Sequence, residues 1–156
     1  MINISSLIIP LVVLLPNLFF FQTNSQGDLK RGEYEGNDNK NILTLLEEVG
    51  RLSVFILPVF YKISLDSRLD ILALMGMAVF LTLYYLGWIR YFKKDMRELY
   101  LFAPLFKIPV PMAISPVLYF GLASIILDSY LLSIATTILG ISHIPLSLKE
   151  YRLLNN

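Results

Sequence analysis

Residues 41–61 read NILTLLEEVGRLSVFILPVFY. About 20 apolar residues span a hydrocarbon core, so this stretch is long and apolar enough to cross a bilayer. Yet its first turns carry Glu47, Glu48 and Arg51. Ionisable groups at membrane depth are costly, and they face protein or a watery cavity. The stretch therefore decides the fold class, helices in a membrane, and marks where to look for a site.

Outward from it, the neighbours read the same way. Residues 62–68 form a short polar connection in which Asp66 and Ser67 suit the cap of the next helix. Residues 69–92 are the cleanest apolar run, about 36 Å long as a helix. The run closes on Trp88, Tyr91 and Phe92 and then Lys93 and Lys94, the aromatic-then-cation order of a membrane–water boundary. Upstream, residues 22–41 mix acids, cations, glycines and asparagines and read as a polar loop unable to bury a core. Asn39 or Asn41 would cap the helix after it. Residues 4–21 are apolar with prolines at 10 and 16; lacking a basic leader and a small-residue cleavage site, they read as a retained, bent span rather than a signal.

Residues 93–108 interleave Lys93, Lys94, Arg97 and Lys107 with aromatic and aliphatic side chains, a basic segment suited to an anionic membrane surface. Residues 109–147 would make a single helix about 58 Å long, nearly twice the hydrocarbon core. Two spans fit better, with the turn at Asp128-Ser129. The expected fold is thus all-α: a polytopic membrane helical bundle of about five transmembrane helices, with four as the alternative. It is a single membrane domain over 1–156 with spans at about 4–21, 42–61, 69–92, 109–127 and 130–147.

Composition agrees. Hydrophobic residues make up 56% of the chain and mean hydropathy is +0.64, too apolar for helices that each need a water-facing side. A net charge of +1 without a basic stripe excludes nucleic acid as a partner. The absence of cysteine excludes disulfides, thiolate metal sites, a thiol nucleophile and thioester or prenyl anchors. One histidine leaves no His-rich metal site, and no phosphate loop, zinc helix or nucleophile elbow occurs, so neither metal nor cofactor is expected.

Charge sets the orientation. With five spans, Lys30, Arg31, Lys40, Arg90, Lys93, Lys94, Arg97, Lys107, Lys149 and Arg152 share one side, ten cations against Lys62 and Arg68 on the other. Four spans worsen the split to eight against four. The positive-inside rule places the ten in the cytoplasm, with the N-terminus outside and the C-terminus inside the cell membrane.

That topology brings Glu47, Glu48, Arg51, Arg90, His143 and Asn17 to one cytoplasmic depth, where they would converge on a polar pocket. Glu47 and Arg51 stand four apart, in the favourable order for a helical ion pair. The plainer reading is that this pair neutralises itself, while Glu48 and Arg90 reach up to the headgroups. His143 reads first as a hydrogen bonder between helices. Beside Glu47 or Glu48 it would become a proton carrier. Trp88, Tyr91, Lys93, Lys94, Arg97 and Lys107 are the expected membrane-surface contacts. The tyrosines Tyr84, Tyr85 and Tyr119 read as packing residues.

Three pieces, LIIPLVVLLPN at 7–17, EEVGR at 47–51 and GISHIPLSLKEY at 140–151, resemble a family of small multi-spanning bacterial membrane proteins without a characterised activity. The resemblance implies a bacterial inner-membrane protein and carries over no catalytic residue. Three functions are expected in turn. The first is a non-enzymatic permease-like protein or a subunit of a membrane complex. The second is an enzyme acting on a lipid or isoprenoid, with His143 and Glu47 or Glu48 as its acid–base pair. The third is a sensor or immunity-type protein read through the 22–41 loop. The expected partners are the bilayer with anionic headgroups, and a second copy or another membrane protein.

Overall fold

A computed structural model describes residues 3–24 and 42–155. Among them the chain is all helical: α1 (Ile8–Asn24), α2 (Ile42–Ile56), α3 (Arg68–Lys93), the single turn α4 (Leu99–Phe102), α5 (Pro111–Ile126) and α6 (Tyr130–Leu154). Two 3-10 turns, Ser5–Leu7 and Leu57–Phe60, precede α1 and follow α2. Most of the expected polar loop, 25–41, and the expected caps Asn39 and Asn41 lie outside the described residues. Two helices, α3 and α6, are long and apolar enough to cross a membrane; α5 and the helix beginning at Ser5 are shorter apolar helices.

Local chemistry explains the helix limits. Ser67 caps α3 through a reciprocal box in which its hydroxyl accepts from the Asp70 amide at 3.1 Å and the Asp70 carboxylate accepts from the Ser67 amide at 2.8 Å. Asp128 adopts a positive φ of 46°, ending the run after α5, and Ser129 caps α6 by accepting from the Leu132 amide at 3.2 Å. The break therefore falls at the Asp128-Ser129 turn. Two other limits differ from expectation. The second apolar run leaves α-geometry at Leu57, because Pro58 has no amide proton to continue the ladder. The last helix runs seven residues past 147 to Leu154, straight through Pro145. One missing donor does not end a helix whose inner face, Ser142 and Ser147 included, stays packed on both sides of the proline.

α3 packs most extensively on α5, α2 on α6 and α5 on α6, all antiparallel. The register shows in close pairs: Gly76 against Leu122 and Gly87 against Met112, then Gly121 against Thr136 and Gly140 against Val117. α1 runs parallel to α3, with Phe20 against Trp88 and Phe19 against Phe92. Its start meets the end of the second apolar run, where the Asn3 amide donates to Val59 O at 2.8 Å and the Ser6 hydroxyl donates to Tyr61 O. One end of the bundle therefore gathers the starts of α1, α3 and α6. The other gathers the start of α2, the ends of α3 and α6, and α4.

The buried core is mainly apolar, with Tyr91, Phe120, Ile126, Leu127 and Leu132 fully enclosed. Its buried polar side chains are hydroxyls, Ser6, Ser115, Ser124, Ser129, Thr136, Ser142 and Ser147, while Leu69, Leu72, Met75, Val79, Leu86 and Ile89 of α3 face outward. On α6 the buried face carries Leu132, Ala135, Thr136, Leu139 and Ser142, and the outer face carries Leu131, Ile134 and Ile141. Small residues inside let backbones approach closely. Two of the buried hydroxyls bond back to their own helix, Ser124 to Gly121 O at 2.6 Å and Ser142 to Ile138 O at 2.8 Å.

α1 is fastened by borrowed donors. Pro16 lacks the amide that would bond the carbonyl of Val12. The Tyr85 hydroxyl donates to that carbonyl at 2.7 Å. Tyr119 donates to Ile9 O at 3.2 Å, and the Asn17 amide donates to the Tyr84 hydroxyl at 2.9 Å.

Candidate functional site

α2 lies close against the backbone of α6 at Gly50. A Cβ there would lie 3.0 Å from the backbone N and Cα of Leu139, so only glycine fits. Because the helices run antiparallel, the residues one turn beyond this crossing, Glu47 and His143, face each other. His143 Nδ1 and Glu47 Oε1 are 2.7 Å apart. Opposite an ionised carboxylate, which only accepts, Nδ1 carries the shared proton; opposite a neutral carboxyl, Nδ1 accepts it. Arg51, one turn along α2, donates to the same Oε1.

Shielding falls off outward through the group. The Glu47 side chain is 14% exposed, His143 26% and Arg51 52%. The carboxylate is thus held between a cation that reaches water and a ring wedged between helices. Chemically the trio can hold or pass one proton at the His143–Glu47 contact, with Arg51 offsetting the carboxylate charge.

Of the six residues expected to share a pocket, the structure places three side by side. Glu47, Arg51 and His143 come together. Glu48 is exposed, since neighbours on a helix point about 100° apart. Asn17 is taken up by Tyr84 and by Val13 O in the α1–α3 contact. Arg90 serves the chain that follows its own helix: it donates to Pro104 O at 2.6 Å, Tyr100 O at 3.0 Å and Ala103 O at 2.5 Å, with the Tyr100 ring 5.7 Å from its guanidinium carbon. Among the described residues no carboxylate forms an ion pair with it.

Two of the expected surface contacts also turn inward. Trp88 is 5% exposed and Tyr91 1%, because α1 lies parallel to α3 and Phe20 packs on both rings. Lys93, Lys94, Arg97 and Lys107 are exposed. Sequence reasoning gave Tyr85 and Tyr119 packing roles and missed that they also donate to the α1 backbone. The signal was available for Tyr85: a proline inside a helix frees the carbonyl four residues back.

A shallow groove of about 350 Å³ between α5 and α6 is lined by Val117, Leu118, Gly121, Thr136, Gly140 and Ile141 and carries no ionisable residue. Among the described residues no cluster of His, Cys, Asp or Glu could hold a metal ion.

Fold and site together define an all-helical protein with two helices able to cross a membrane and a carboxylate–imidazole contact between α2 and α6. No family model, no curated protein and no solved structure matches the chain.

Proposed function

We propose that the chain is a polytopic membrane bundle of five spans and acts as a non-enzymatic membrane component, a small permease-like protein or a subunit of a membrane complex. The observation that carries the membrane reading is the amount of large apolar surface facing outward, Leu69, Leu72, Met75 and Val79 of α3 and Leu131, Ile134 and Ile141 of α6 among it, around a core that is itself apolar. In water such contiguous apolar faces would aggregate. In lipid they are the solvated surface, and close packing on small residues holds the helices together. The 3-10 turns lengthen the shorter rods. Ser5–Leu7 with α1, and α2 with Leu57–Phe60, each reach about 31 Å. α5, at about 24 Å, is accommodated by local thinning of the bilayer.

Orientation follows from charge. Among the described residues Arg90, Lys93, Lys94, Arg97, Lys107, Lys149 and Arg152 gather at one end, against Lys62 and Arg68 at the other. The richer end is cytoplasmic, the N-terminus is outside and the C-terminus inside. The Glu47–His143 contact then opens toward the cytoplasm. A protonatable pair shared by two helices suits a component that responds to, or carries, a proton. The same pair supports the second reading, a lipid-directed enzyme, since a hydrogen-bonded acid and base is what such chemistry needs.

The chain has no cysteine, so single cysteines at Ser25, Ser67, Asp128 and Asn155 can be labelled on intact cells with an impermeant thiol reagent. Labelling at 67 and 128 with protection at 25 and 155 is the expected result. Protection at 128 with labelling at 155 would overturn the five-span reading. Glu47→Gln and His143→Asn then separate the functions: loss of assembly or uptake with an intact fold supports the first reading, and loss of turnover of a co-purified lipid supports the second.

A further inference from the structure

We propose that residues 93–110 form a binding surface for the headgroups of anionic glycerophospholipids, with Phe106 and Met96 entering the lipid beside four cations. The proposal rests on the chain spanning a bilayer. It adds which lipid the cytoplasmic end selects and which residues select it.

The segment is shaped by two left-handed corners. At the first, Asp95 and Met96 have φ of 55° and 54°. At the second, Phe106 and Lys107 have φ of 50° and 67°, and Leu105 and Ile108 exchange amide–carbonyl bonds of 3.2 and 2.9 Å around them. A two-residue turn with both corners at positive φ favours Asn-Gly. Phenylalanine and lysine are poor choices for it on conformational grounds, so what they present needs another explanation. Phe106 is 72% exposed at the tip, and Met96 is exposed at the other corner. Each sits beside cations, Lys94 and Arg97 around Met96 and Lys107 after Phe106, all exposed. Two acids, Asp95 and Glu98, share the segment and leave it net positive.

Arg90 is the positioning residue. Its three carbonyl bonds draw residues 100–104 over the end of α3, which sets the second corner two residues beyond Pro104. Carbonyls solvate its charge without cancelling it, so Arg90 adds to the local positive field. On α3, Ile89 and Phe92 are exposed just before Lys93, and so the apolar belt runs into the cations without a gap. An apolar tip beside a cation, repeated at two corners and continuous with an apolar belt, fits acyl chain below and phosphate above. An acidic protein surface would match the cations and leave Phe106 unexplained.

The test is native mass spectrometry of the full chain extracted in a neutral detergent and supplied with phosphatidylglycerol or phosphatidylcholine. Near an anionic surface each cation is worth about a fivefold preference, so wild type should retain phosphatidylglycerol at least about tenfold better. Replacing Lys93, Lys94, Arg97 and Lys107 together by Gln should bring the two lipids close to parity. Phe106→Asn suits the turn better and should leave the unfolding midpoint unchanged or raised, yet weaken retention several-fold. This variant keeps the test decisive if the fourfold one fails to fold. Equal retention of both lipids by wild type, unchanged retention in Phe106→Asn, or displacement of the lipid by millimolar inorganic phosphate would each overturn the proposal, the last in favour of a bare anion site. The membrane reading fails separately, if the chain stays in the supernatant without detergent when membranes are sedimented.

Discussion

Arg51 and Arg90 lie toward the same end of the bundle, and the chain deals with their charges in opposite ways. Arg51 meets a carboxylate on its own helix, and that carboxylate also holds His143 of α6. Arg90 meets three carbonyls and an aromatic ring. The first arrangement is a pair that can lose or gain a proton. The second has no carboxylate partner among the described residues and fixes a backbone path. A cation near a helix end is therefore not one kind of signal: its meaning depends on whether it is answered by a carboxylate or by backbone dipoles.

The sharpest way to break this contrast is at Arg90. Arg90→Ala should destabilise by about 2–4 kcal/mol, because three hydrogen bonds from a charged donor vanish at once. Arg90→Lys should recover little of it, since an ammonium cannot reproduce the planar fork. Unfolding in mixed detergent micelles measures both, and a loss below about 0.5 kcal/mol would remove Arg90 from its positioning role.

A milder effect is expected at Tyr85. Tyr85→Phe should cost about 1 kcal/mol by orphaning the carbonyl of Val12. In a Pro16→Ala background, where an amide can reach that carbonyl again, the same substitution should cost almost nothing. Equal costs in both backgrounds would show that the tyrosine contributes only packing.

At the α2–α6 contact, a double-mutant cycle of Glu47→Gln and His143→Asn should give a coupling of about 0.5–1.5 kcal/mol, the range for polar contacts between membrane helices. Arg51→Gln should be the smallest change, under about 0.5 kcal/mol, because half of that side chain is in water. If Arg51→Gln cost as much as Arg90→Ala, the contrast between the two arginines would be gone.

Much of the helix order was legible in the sequence, for local reasons. Ser67 and Ser129 cap helices through atoms three residues away, and apolar runs report their own lengths. The Glu47–Arg51 pair was legible too, being one turn apart. The rest depended on which helix lies beside which. The aromatic-then-cation sequence at 88–94 reads as an interface, but it does not say that α1 lies on α3 and covers Trp88 and Tyr91. Nor does the sequence say that Arg90 would be claimed by carbonyls ten to fourteen residues on, since every residue offers one. His143 and Glu47 are 96 residues apart, and a shared depth was the most that charge counting could give them.

Pro16 has a further consequence in time. The carbonyl it leaves open is matched by a hydroxyl 73 residues later in the chain. At about 5–20 residues per second of synthesis, the first helix waits roughly 4–15 s for that partner to be made. During this interval the Val12 carbonyl lacks the hydroxyl that caps it in the finished fold. The start of the first helix can already meet Val59 and Tyr61, but the gap at its proline is closed only once the third helix exists.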